Sequence, residues 1–119
     1  MIFTGFISED EKRDHLNLAD AFVMPSRGEG FGIVLLEAMA CGVPVVASTR
    51  DGSREALRGG MLGTLVEPDD RASLEDGVRA ALRQPRAVPD GLEYFSRENF
   101  RLRAHRLMDG YDRAARGRP

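Results

Sequence analysis

Apolar positions along this chain come in two patterns that alternate. Short, mostly apolar runs occupy residues 1–6 (MIFTGF), 21–25 (AFVMP), 43–47 (VPVVA) and 61–66 (MLGTLV), of which 21–25 and 43–47 are continuous. Runs of this length predict strands, and the continuous runs at 21–25 and 43–47 predict strands covered on both faces of a parallel sheet. Between them lie stretches that predict helices at residues 8–19, 33–41, 52–57, 70–82 and 97–112. Ser8-Glu9-Asp10-Glu11 has the form of a capping box, with Ser8 accepting the Glu11 amide and Glu11 reaching back. Gly42 and Pro44 stop the apolar helix that begins at Ile33. Asp69-Asp70 opens the helix at 70–82 with the acidic residues that a helix dipole favours. Strand and helix alternate, so an α/β fold with a parallel sheet and flanking helices is predicted.

The 119 residues allow one domain, with a C-terminal helix and tail at 97–119 whose last residues are expected to fray. A net charge of −2 gives no reason to expect nucleic acid as a partner. Lys12 is the only lysine among the 17 basic residues, which reads as a composition bias. The single Cys41 cannot form an internal disulfide, and no apolar run reaches the roughly 20 residues of a membrane span. A cytoplasmic location is expected, with peripheral membrane contact left open for the intact protein. His15 and His105 are far apart in the chain, and nothing in the sequence suggests a metal site.

The stretch SRGEGFGIVLLEAMACGVPVVAS carries the candidate chemistry. Gly28, Gly30 and Gly32 surround Glu29 at the end of a predicted strand and open a helix. In open α/β sheets, ligands bind at the carboxyl ends of strands. The first amides of that helix, at Gly32, Ile33 and Val34, have no partner within the helix, and the dipole favours an anion there. Glycines let a ligand approach the backbone closely. Glu37 stands four residues after Ile33, on the same helix face. Its carboxylate can accept hydrogen bonds from neighbouring ribose hydroxyls, or be an ordinary paired or exposed side chain. Glu29 would face whatever lies beyond the phosphate. The glycine period differs from a dinucleotide fingerprint, and no Gly-Lys-Ser/Thr ending marks a Walker loop.

Taken whole, the string from Ser26 to Ala47 resembles the donor-binding signature of the retaining glycosyltransferases of family 4, which have the two-domain GT-B architecture. The resemblance extends over nearly the whole chain, through Phe3-Thr4-Gly5-Phe6-Ile7, Ala19 to Ser26, Asp51 to Glu55 and Gly63 to Asp70. It implies an incomplete Rossmann-like domain, 1–119 being part of a GT-B C-terminal domain. It implies that Glu37 binds the ribose. Glu29, the catalytic candidate, would lie by the donor sugar, in sugar positioning or charge stabilisation. Gly30, Phe31 and Gly32 would meet sugar hydroxyls or the distal phosphate, Ile33 and Val34 the diphosphate, and Phe6 and Ile7 the base. No cofactor or metal is implied, only the nucleoside-diphosphate-sugar substrate.

In that family an N-terminal acceptor domain and further strands of the donor domain, with cations for the diphosphate, accompany these motifs. They are missing here, so transfer by this chain alone is not expected. The missing strands would leave a gap between residues 1–6 and 21–25. Direct pairing of MIFTGF with AFVMPS is expected in a compact monomer; otherwise a second copy or a complementing chain fills the gap. A nucleotide-sugar binding module without transfer, and a Rossmann-type domain for another nucleotide, are the competing readings. Arg27, Ser26, Ser53 and Arg54 are lesser candidates near the loop, with capping and turn roles as alternatives.

Overall fold

A computed structural model describes residues 1–117. The chain forms an α/β layer structure in the order α1 (Glu9–Leu18), β1 (Phe22–Met24), α2 (Ile33–Ala40), β2 (Val45–Ser48), α3 (Ser53–Ala56), β3 (Thr64–Val66), α4 (Arg71–Arg83) and α5 (Arg97–Arg116), with short 3₁₀ turns before β3 and before α5. The three strands form one parallel sheet in chain order, β1-β2-β3. Phe22 is opposite Val45 and Met24 opposite Ala47; Val46 is opposite Thr64 and Ser48 opposite Val66. This is the Rossmann-like parallel sheet with flanking helices.

Side chains alternate across β2 as a strand requires. Val45 and Ala47 join Leu35, Ala38 and Met39 of α2, with Ala56, Leu57 and Leu62, in one core cluster. Val46 faces the other way, with Val66 and Ala81. Every residue of β2 is buried, which explains its unbroken apolar run. Gly77 lets α4 lie close on this second face, since a Cβ there would stand 2.3 Å from Val66 Cγ1.

Local signals translated directly. Ser8 Oγ accepts the Glu11 amide and Glu11 returns the bond, completing the capping box of α1. Asp70 caps α4 by accepting from the Ala72 amide at 2.9 Å. The final helix runs past the expected end at residue 112 as far as Arg116, capped at its start by Ser96. Of the expected frayed tail, residues 118 and 119 lie outside the described residues. Among the described residues, no helix is long and apolar enough to cross a membrane.

One strand expectation fails. Residues 1–6 form no strand and pair with nothing in the sheet; Met1, Ile2, Phe3 and Phe6 are fully or almost fully exposed. The expected pairing of MIFTGF with AFVMPS is therefore absent, and the sheet has three strands. β1 bonds to β2 on one side alone, and Val23 is 41% exposed. A run of β-formers becomes a strand only where a neighbour and a covering face exist, because β propensity measures fit to such a surface.

Candidate functional site

Because the strands are parallel, their carboxyl ends lie along one edge, and three connections meet there: residues 25–32 into α2, 49–52 into α3, and 67–70 into α4. Polar contacts tie the three together. Asp51, on the second connection, accepts from the Ser26 hydroxyl at 2.5 Å and from the Glu29 amide at 3.2 Å, both on the first. Its other oxygen accepts from the Ser53 amide at 3.0 Å. The Gly52 amide donates to the Glu29 carbonyl at 2.9 Å. Arg50 reaches the third connection, 2.6 Å from Glu67 and 2.9 Å from Asp69. Arg27 also pairs with Asp69. Arg27, a lesser phosphate candidate, is thus held by a carboxylate. Ser26 does hold the turn, through Asp51. Ser53 is fully buried as the first residue of α3, and the side chain that caps its amide is that of Asp51.

Burial pushes the Asp51 carboxyl up, but the Ser26 hydroxyl and the Ser53 and Glu29 amides outweigh it, and the net pKa is lowered. A depressed folded-state pKa gives stability that is present above the ordinary value of about 3.9 and is lost as pH falls through the folded value. Urea midpoints measured between pH 6 and 3 should therefore fall more steeply for the wild type than for Asp51→Asn; parallel slopes would show that the carboxylate is not held this way.

The start of α2 differs from the starts of α1, α4 and α5. Those three have side-chain caps, whereas α2 has none and no acidic residue in its first turn. Its N-cap is Gly32, with φ +81° and ψ 64°. A side chain here would be strained by this left-handed backbone and would meet Leu35 Cδ1 at 2.8 Å. Among the described residues, the amides of Gly30, Phe31, Gly32, Ile33 and Val34 have no hydrogen-bond partner. Gly28 and Gly30 have open space where a Cβ would stand. The Phe31 ring instead packs edge-on to Phe95, 5.6 Å between centroids.

Glu37 follows one turn along α2, 36% exposed, and Ile33 on the same face is 69% exposed. Its partner is Lys12 of α1, whose ammonium lies 3.0 Å from one carboxylate oxygen and 3.1 Å from the other. Lys12 also pairs with Glu9 at 2.6 Å. Glu9 first, then Glu37, raises the Lys12 pKa, so the ammonium stays charged. The only lysine thus has a structural place that composition could not reveal. Between the two helices lies a concavity of about 310 Å³ lined by Glu9, Lys12, Leu16, Glu37 and Cys41, among others. Of the two base-flanking candidates, Ile7 is half-buried just before α1, and Phe6 is fully exposed. Among the described residues, no group of three or more His, Cys, Asp or Glu side chains is arranged to hold a metal ion.

The glycine loop and the uncapped helix stand at the carboxyl ends of a parallel α/β sheet, the edge where such sheets take ligands when they bind one. Comparison of sequences makes this specific. The profile of the glycosyl transferases group 1 family matches residues 1–84, and the chain belongs to that family. It is 40% identical over 118 residues to the phosphatidyl-myo-inositol mannosyltransferase of Mycobacterium leprae, covering 95% of this chain and 32% of that protein. It is 45% identical over 78 residues to the D-inositol 3-phosphate glycosyltransferase of Geodermatophilus obscurus, covering 66% of this chain and 17% of the other. A GDP-mannose-dependent alpha-(1-6)-phosphatidylinositol monomannoside mannosyltransferase of Mycolicibacterium smegmatis is 41% identical over 93 residues, covering 72% and 24%. The chain thus spans about a third or less of the length of these relatives.

Proposed function

We propose that this chain is the donor-binding portion of a retaining glycosyltransferase, part of a GT-B C-terminal domain, taking a nucleoside-diphosphate-sugar and working with an acceptor domain supplied elsewhere. The observation that carries the reading is the run of five unpaired amides, 30–34, at the start of an uncapped helix, with a carboxylate one turn further on. The amides and the helix dipole receive the diphosphate without a metal ion. Glu37 accepts the ribose hydroxyls. Glu29, whose backbone is fixed on both sides, stands by the sugar. Phe6 and Ile7 flank the base. Retention involves attack from the face that the diphosphate leaves.

Calorimetric titration tests this. GDP is the first probe, because one relative's name specifies GDP-mannose; UDP and ADP follow. Hydrogen bonds to a charged group contribute about 1.5–3 kcal/mol each, so Glu37→Ala should weaken binding by about tenfold or more. Binding that is unchanged in Glu37→Ala would overturn the ribose assignment, and preference for NAD would favour a different nucleotide domain. Turnover of a nucleotide-sugar with an added acceptor would exclude a module that binds without transfer. The same assay with chelator present is expected to give the same affinity.

A further inference from the structure

We propose that Asp51 is the positioning residue of the glycine loop: a built-in anion that gathers the donors of Ser26, Glu29 and Ser53 and leaves the amides from Gly30 onward for a ligand. The proposal rests on the donor-site reading for the identity of that ligand.

Three donors converge on one carboxylate, two of them from a loop more than 20 residues away in sequence: the Ser26 hydroxyl, the Glu29 amide and the Ser53 amide. Such a cluster of donors would otherwise attract any anion. With Asp51 in place it is already satisfied. The next residue completes the grip, because the Gly52 amide donates to the Glu29 carbonyl. Residues 51 and 52 therefore bond both the N–H and the C=O of Glu29, which fixes the peptide planes on either side of that residue. The direction in which the Glu29 side chain leaves the loop follows from them. The Glu29 amide, withdrawn into this clasp, is not free for a phosphate, whereas the next five amides are unpaired. Asp51 thus sets the residue at which the anion-binding part of the loop begins. It does so without touching the ligand, through Ser26 and Glu29.

An amide side chain at position 51 keeps one acceptor oxygen but presents an NH₂ group to donors, so it replaces the clasp in part. A methyl group leaves all three donors without their acceptor. The experiment uses the 119-residue chain with Asp51→Ala, Asp51→Asn and Ser26→Ala. Amide hydrogen exchange is followed in peptides covering residues 26–34 and α4, and GDP, UDP and ADP are titrated. In Asp51→Ala the loop should exchange about tenfold faster or more while α4 keeps its protection, and affinity for the nucleotide that binds the wild type should fall by about tenfold. Asp51→Asn should lie between, and Ser26→Ala should loosen the loop while α4 keeps its protection. Unchanged loop exchange and affinity in Asp51→Ala would overturn the proposal, as would equal loosening of loop and α4, which marks a general loss of stability. If no nucleotide binds the wild type, the donor reading falls, while exchange in the ligand-free loop still decides whether Asp51 holds it.

Discussion

Gly52→Ala is expected to disable the candidate site more completely than any change of a charged residue in it. A methyl group at this position would stand 1.8 Å from the Gly30 carbonyl oxygen and 2.4 Å from its carbon. Both are backbone atoms, so no side-chain rotation relieves the clash. The turn at 51–53 must separate from the glycine loop, breaking the Gly52–Glu29 bond and pulling Asp51 from Ser26. Overpacking against a rigid neighbour costs about 1–3 kcal/mol, which lowers the thermal midpoint of a chain this size by on the order of 5–10 °C. Nucleotide binding should fall below detection. Gly28→Ala is the control, since nothing lies within 4 Å of a Cβ there, and its effect should stay within about 0.5 kcal/mol. A Gly52→Ala protein with the wild-type midpoint and affinity would refute the close approach of the two loops.

Leu35→Ala should have the largest effect on stability. Leu35 is fully buried, packs in the main core cluster, and lies directly beneath the Gly32 cap. Removing a buried leucine side chain costs about 2–5 kcal/mol, of which part is the cavity left behind. A domain's total stability is only about 5–15 kcal/mol, so the variant should be partly unfolded at 25 °C or have a sharply lowered urea midpoint by circular dichroism. Ile33→Ala, at a 69% exposed position two residues earlier, should change the midpoint little. Equal losses for both variants would mean that α2 does not pack with the face described.

The alternation of apolar runs made the parallel α/β fold legible, because β2 really is covered on both faces. The capping box of α1 was legible because it depends on residues within three positions of one another; the start of α4 was legible from Asp69-Asp70, but Asp70 acts as a side-chain cap before Arg71 and the first turn holds no acidic residue. Residues 1–6 misled for the opposite reason: their composition suits a strand, but strand formation is decided by neighbours that composition does not contain. The glycine-glutamate loop stood out through its residue types and order. The groups that hold it did not. Asp51 before a glycine looks like any turn residue, and its partner Ser26 is 25 positions away. Lys12 and Glu37 are also 25 positions apart, on different helices. Such pairs are products of the fold, and one sequence carries no local mark of them.

The Lys12–Glu37 contact has a thermodynamic consequence. A free glutamate side chain samples many rotamers, and restricting it costs up to about 1.5–2 kcal/mol. Here the ammonium, itself anchored to Glu9, restrains that carboxylate in the chain without any ligand. The entropy of ordering it is lost when the polypeptide folds, so under the proposed donor reading Glu37 would meet a ligand as a preorganised acceptor.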